Sequence, residues 1–364
     1  MTLTVKKPAI SGSGTEADPY IIDSVEALKY MCEKYNAFPE KYGNKFWKQT
    51  AESDMAGVKF DMIGKDTGNT NTTVYFTGTY DGGNYAIKNL KISSGSTSVG
   101  FFAAAKNAVI KNVVLGEGGE ISGSKDNARI GGIVGYIPNN GDCKIENCVN
   151  YATVIGKSVR GFTTVGGYTG GIVGQVVGGR TVINGCKNYG NIKYNDGSLN
   201  YVVGGIIGTS GEKAVIVKCE NHGEIYAPSK EQWSGLGNGS SAGGVAGYLY
   251  GTAVGCYNDG KVTGGMYVGG IAAEALGNAI VESCYNIGPI NADYEEANCA
   301  IGGIMGSGRG TINNCYNAGT ITPCPGNNKT KMGKLFGEGG IEPTNASGNY
   351  FIGTELSEYG NNGR

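Results

Sequence analysis

The chain has 364 residues, of which 66 are glycine and only 17 % are charged, and its formal net charge is −1. A composition this rich in glycine disfavours helix, and a charge near zero leaves no electrostatic footprint for nucleic acid or an anionic membrane surface. No run of 18 apolar residues occurs, which excludes a helix inserted across a membrane, and the stretch from Met1 to Pro8 lacks the apolar core of a secretory signal peptide.

Residues 1–60 read as a cap. Asp23 or Ser24 is placed to cap a short helix that carries Val25, Leu28, Met31 and Cys32 on one face. A helix there covers the open end of a strand stack, whose bare edges would otherwise template aggregation. Next come two alternating strands around the turn Asp81-Gly82-Gly83-Asn84, the second carrying Ile87, Leu90 and Ile92. A degenerate repeat follows, with Val99-Gly100-Phe101-Phe102 in place of a Gly-Gly run and Val113 in a slot that later coils give to cysteine.

From there one frame recurs six times: an aliphatic or alanine residue, two residues, Cys, any residue, Asn, any residue, Gly or Ala, any residue, then Ile or Val. Its cysteines are Cys148, Cys186, Cys219, Cys256, Cys284 and Cys315, spaced 28 to 38 residues apart, and its asparagines are Asn150, Asn188, Asn221, Asn258, Asn286 and Asn317. Gly-Gly-aliphatic runs beginning at Gly131, Gly170, Gly204, Gly243, Gly269 and Gly302 precede them. Repetition at this period is the mark of a stacked solenoid. Each repeat reads as three short strands: the aliphatic pair after Gly-Gly, the run into Cys, and the aliphatic residue six positions later. The expected fold is an all-β, three-sided, right-handed parallel β-helix with a short N-terminal capping helix, its hand following the rule for parallel crossovers. The β-helix is expected over 61–324, and 325–364, with Leu335-Phe336-Gly337 and Asn349-Tyr350-Phe351, reads as a worn final coil and second cap. The asparagine after each cysteine suits a corner, because Asn tolerates left-handed backbone.

Cysteines at one place in every coil fall in a column at about 4.8 Å per layer, a geometry that does not supply disulfide distances and directions. The six are therefore expected as free, buried thiols. Cys32, Cys143, Cys299 and Cys324 lie outside the column, with Cys143 close enough in sequence to Cys148 to be an outlying partner. With His222 as the single histidine and no paired CxxC, neither a metal site nor a cofactor is expected, and the Asn and Asp corners lack the fixed spacing of a calcium loop.

The Gly-Gly-Ile-Val-Gly runs, the segment Asn314-Cys315-Tyr316-Asn317-Ala318-Gly319, the stretch from Gly12 to Ile22 and the stretch from Phe76 to Leu90 together resemble GLUG-repeat proteins. The likeness covers most of the chain. It implies a right-handed β-helix of the kind found in large bacterial surface proteins and adhesins, and beside peptidase domains in immunoglobulin A peptidases. No HExxH segment is present.

Insertions between repeats, at 155–169, 193–203, 226–242, 263–268 and 291–301, fall at one corner and predict a ridge of loops. The ridge carries Phe162, Tyr168, Tyr194, Tyr201, Tyr226, Trp233, Tyr267 and Tyr294, residues able to stack on sugars or anchor a protein. A second column, Tyr257, Tyr285 and Tyr316, reads more readily as a ladder that stiffens the sheet. Asp142 with Glu146, and Asp293 with Glu295 and Glu296, are the candidate acid pairs for glycoside chemistry, but neither recurs beside a basic residue on adjacent coils. The expectation is therefore a non-enzymatic adhesin or structural module on a bacterial cell surface or phage virion, binding a surface glycan or protein receptor through the ridge. Its many thiols and the absence of a signal segment favour the virion. A carbohydrate-active lyase or hydrolase is the alternative. A homo-oligomer is compatible with this architecture, since β-helices trimerise in phage fibres, although no interface is specified.

Overall fold

The structure is a computed structural model that describes residues 10–156, 167–194, 201–227, 239–293, 299–323, 331–337 and 345–351. It is a parallel β-helix. One coil runs through five short strands, Arg129–Gly131, Val134–Ile137, Lys144–Glu146, Val149–Asn150 and Thr153–Gly156. These lie on five faces, numbered here in that order. Each strand pairs in parallel with its counterpart one coil on: Ile130 with Thr169, Val134 with Val173, Ile145 with Ile183, Asn150 with Asn188 and Val154 with Ile192. The faces become sheets of 8, 7, 11, 10 and 8 strands. The coil therefore has five faces where three were expected, because each corner interrupts the ladder after two to four residues.

The N-terminal helix α1 (Val25–Ala37) starts as its sequence implies. Ser24 caps it by accepting from the Ala27 N–H at 3.2 Å, and Ala27, Leu28, Met31, Cys32 and Tyr35 are buried. Tyr35 meets Phe76 at 5.2 Å between ring centroids, which seats the helix on the first coils. The strands Tyr20–Ile22 and Phe46–Gln49 also begin the third sheet. Asp81 to Asn84 form a corner between strands of the third and fourth faces.

The cysteine column is buried, with all six thiols unbridged, and Cys143 is also free. Each thiol lies near two backbone carbonyls; Cys219 Sγ donates at 3.5 Å to Ile183 O and 3.4 Å to Val217 O. Cysteine suits the slot because it is small, apolar and still a weak donor. Burial pushes the Cys186 thiol well above its ordinary range and Cys143 up to about 11, which keeps them protonated.

The left-handed corner sits one residue before each cysteine, not two after it. Asn112, Asn147, Lys218, Ser283 and Asn314 have φ between 50° and 55°, with Gly185 and Gly255 in the same column. The frame asparagines instead point inward as a buried ladder. Asn221 Nδ2 donates to Gly223 O at 3.0 Å and to Asn258 Oδ1 at 2.7 Å, while Asn188 Nδ2 donates to Asn221 Oδ1 at 2.8 Å. Links of the same kind run from Asn150 through to Asn317.

The second glycine of each Gly-Gly run is wedged between the backbone of the next coil and this ladder. A Cβ on Gly205 would collide with the Asn221 side chain, and one on Gly270 with Asn286. The third glycine has a different role: a Cβ on Gly174 would strike the backbone around Arg129 and Ile130, so glycine there lets the first two faces approach backbone to backbone. The outer side chains of those faces consequently meet along a seam.

Candidate functional site

The seam combines the first residue of each first-face strand with the third position of each second-face strand. Its first-face column reads Arg129, Tyr168, Val202, Ser241 and Tyr267, paired in that order. Its second-face column reads Tyr136, Gln175, Thr209, Tyr248, Glu274 and Ser307. The two columns touch. The Arg129 guanidinium lies 4.2 Å over the Tyr136 ring, Tyr168 meets Tyr248 edge-on at 6.5 Å, and Ser241 Oγ donates to Glu274 Oε1 at 3.3 Å. At one end Asp66 anchors the seam, accepting from Arg129 Nη1 at 3.0 Å, from the Gly68 N–H at 2.8 Å and from the Thr73 and Ser98 hydroxyls.

Beside the seam opens a cleft of about 840 Å³. Tyr168, Gln175 and Thr209 form one side of it, and Tyr250, Arg180 and Glu212 stand among its other lining residues. The ring of Tyr168 belongs to both, so cleft and seam are one surface. It presents ring faces and edges interleaved with amide, hydroxyl and guanidinium groups.

Glu274 is the unusual group. Burial among Tyr248, Ser241 and Tyr267 pushes its carboxyl from 4.5 up to about 7, against the lowering effect of hydrogen bonds from Tyr248 and Ser241. Burial also raises the Tyr168, Tyr248, Tyr250 and Tyr267 phenols, so they stay protonated through neutral pH. Because the folded state holds its proton more tightly than the unfolded chain, the carboxyl carries no penalty below about 4.5. The penalty builds as pH rises and is complete above about 7. Glu274→Gln is therefore expected to remove a loss of stability on the order of 2 to 3 kcal/mol between pH 4.5 and 8, measured by urea denaturation across that range. Equal pH profiles for the two proteins would show that the carboxyl is solvated.

Of the residues expected on the loop ridge, Tyr168 and Tyr267 fall in the seam. Tyr194 and Tyr201 do not project: they are buried, their rings 3.8 Å apart, with the Tyr194 hydroxyl 2.7 Å from Thr169 Oγ1. The alternation of its strand turns Tyr194 into the coil, and Tyr201 packs against it. Tyr226 is exposed but stands on the fifth face, between Lys193 and Thr263. Phe162, Trp233 and Tyr294 lie outside the described residues, as do Glu295 and Glu296 of the acid pairs. Asp142 lines the cleft, where its Oδ1 accepts from the Arg180 N–H at 2.6 Å, while Glu146 stands on the third face.

The Tyr257 column pairs Tyr257 with Tyr285, and a neighbouring column two residues on, Tyr151, Tyr189 and His222, meets it where His222 lies edge-on to Tyr257 at 5.7 Å. Tyr151 stacks on Tyr189 at 4.9 Å and Tyr189 on His222 at 4.5 Å, and Tyr257 lies 4.5 Å from Tyr285. His222 is held between Asp259 at 2.8 Å and Glu220 at 3.1 Å. Rings that cover one another leave mainly edges for a ligand, which suits stiffening better than sugar stacking. Among the described residues no cluster of three or more metal-type side chains occurs, and no helix is long and apolar enough to cross a membrane.

No protein-family model matches the chain. Over 183 aligned positions, which cover 43 % of the chain and 2 % of the other protein's length, the chain is 28 % identical to halomucin of Haloquadratum walsbyi. Among solved structures, the chain is similar to a Bacteroides ovatus protein named a "putative immunoglobulin A1 protease", with 19 % identity, a TM-score of 0.44, and coverage of 93 % of this chain and 77 % of that one. It is also similar to a structure named IgA1 protease, with 15 % identity, a TM-score of 0.45, and coverage of 86 % and 21 %. At these scores the coil geometry rests on this chain's own strand register. The expectation of a non-enzyme is nevertheless corrected here: both structures bear the names of enzymes, and an exclusion of catalysis does not stand beside them.

Proposed function

We propose that the chain is a β-helical recognition module of a surface-displayed or secreted protein, adhesin-like, that binds an extended glycan along the seam and its cleft. The observation that carries this reading is a cleft of about 840 Å³ lined by Tyr168, Tyr250, Gln175 and Thr209, with Tyr248 set edge-on to Tyr168 in the seam beside it. A parallel coil repeats about every 4.8 Å, so such a surface offers regularly spaced aromatic and polar contacts to a linear polymer. The partial likeness to a protein named halomucin and the GLUG-type frame support placement at a surface or outside the cell.

The test is a glycan array probed with the chain, a Tyr168→Ala/Tyr250→Ala variant and a Tyr226→Ala variant. Selective binding is expected to fall at least tenfold in the double variant and to persist in Tyr226→Ala. Binding that survives the double variant and disappears with Tyr226 would move the site to the fifth face.

A second reading, a carbohydrate-active β-helix enzyme, draws support from Glu274, since a carboxyl that titrates near neutrality beside a cleft is the kind of group acid–base chemistry uses. Release of reducing or unsaturated ends from a polysaccharide, abolished in Glu274→Gln, would favour it.

A further inference from the structure

We infer that Glu274 gates glycan recognition at the seam by proton uptake: a sugar chain laid over Tyr168, Tyr248 and Tyr267 is held while the carboxyl is protonated and released when it ionises. This rests on the glycan-recognition reading above.

The argument begins with what surrounds the carboxyl. Glu274 sits on the second face between Tyr248 on the preceding coil and Ser307 on the next. Ser241 reaches it from the first face at 3.3 Å, and Tyr267 and Tyr250 complete its electrostatic surroundings. These neighbours are all neutral hydroxyl groups. Among the described residues no lysine, arginine or histidine makes an ion pair with it.

Two consequences follow when the carboxyl ionises. It becomes an acceptor only, and beside the buried Ser241 hydroxyl that already donates to it, it draws the Tyr248 hydroxyl to itself as a donor, which withdraws Tyr248 from a ligand. It also keeps whatever water reaches it, and a sugar covering the seam strips that water with no cation to replace it. Protonated, the same carboxyl both donates and accepts, as an amide does, and is covered at little cost.

Binding is thereby linked to one proton. Burial in the unliganded seam raises the carboxyl to about 7, and covering it raises that value further. Affinity should then fall by up to tenfold for each pH unit above 7, and level off below it. The neighbouring phenols are raised by burial and stay neutral across this window. Glutamine at 274 reproduces the protonated form in size and hydrogen-bonding capacity, so it should hold the gate open.

The experiment uses an array of linear neutral and uronate-bearing glycans, probed at pH 5.5, 7.0 and 8.5 with the wild-type chain and Glu274→Gln, followed by titration calorimetry with the strongest-binding glycan. Circular dichroism at each pH confirms that both proteins are folded. The expected result is wild-type affinity that falls at least tenfold between pH 7.0 and 8.5 and a flat profile in the variant. Binding that is flat with pH in the wild type, or that retains its slope in Glu274→Gln, overturns the gate and leaves the recognition reading in place. No binding by either protein at pH 5.5 overturns both.

Discussion

Cys219→Asp unfolds the middle of the stack. Cys219 is fully buried, with Cys186 and Cys256 as its counterparts on the adjacent coils, and its thiol faces the carbonyls of Ile183 and Val217. A carboxylate there would be buried against two carbonyl acceptors with no cation beside it, a charge taken from water without a compensating partner. The expected cost is on the order of 5 kcal/mol, within the exceptional tail of single substitutions. It should appear as a drop of many degrees in melting temperature by circular dichroism, together with loss of amide-exchange protection in the coils on either side. Cys219→Ser is the control, since a hydroxyl keeps the donor and the volume; it should cost about 1 to 2 kcal/mol. Unchanged melting of Cys219→Asp would place the side chain outside the core. Because solenoid coils contact mainly their neighbours, the damage should spread from coil to coil and leave the capping helix region the last to melt.

The architecture was legible because its determinants repeat. Six copies of the aliphatic-to-Cys-to-Asn spacing identify which residues stack, and the Ser24 cap with Leu28, Met31 and Cys32 on one helical face marks the N-terminal helix. Five faces were harder to foresee, since strands of two to four residues, the third and fourth separated at a single left-handed residue, look in sequence like longer strands with bulges. The asparagine column was misplaced for a related reason. Asn is common both at left-handed corners and in buried amide ladders, and only the requirement for glycine at 205 and 270, opposite those asparagines, distinguishes the two. The site was less legible than the fold. A binding surface breaks the repeat, so Glu274 is a single acid in the run Ala272-Ala273-Glu274-Ala275, with no second carboxylate nearby to draw attention to it. Aligning the coils by their Gly-Gly runs would have placed it in one column with Tyr136, Gln175, Thr209 and Tyr248, the row that forms one side of the seam. Tyr194 and Tyr201 show the converse: loop-adjacent aromatic residues read as outward, yet strand alternation puts Tyr194 inside and Tyr201 is buried against it.

Asn221→Ala is expected to cost on the order of 3 to 5 kcal/mol, and its cost should exceed that of Asn317→Ala. The inward ladder is directional. Every Nδ2 donates to the carbonyl two residues on and to the Oδ1 of the next asparagine toward the C-terminus, so an interior member serves three partners at once. Removing Asn221 leaves Asn258 Oδ1 and Gly223 O short of a donor and Asn188 Nδ2 short of an acceptor, all in an interior that water does not readily reach; each unsatisfied group costs about 1 to 3 kcal/mol. Asn317 accepts from Asn286 and serves only its own corner beyond that, through Gly319. The ladder's other end shows that an apolar occupant is tolerated where no amide depends on it, since Leu115 pairs with Asn150 and holds the slot one coil earlier. Asn221→Leu separates the two contributions: it refills the volume but not the hydrogen bonds, so it should recover only the cavity part of the loss. Urea denaturation of the three variants, with amide exchange to localise the opening, measures the difference. Equal costs at 221 and 317 would mean that the coils gain nothing from amides joined end to end and that each asparagine merely closes its own corner.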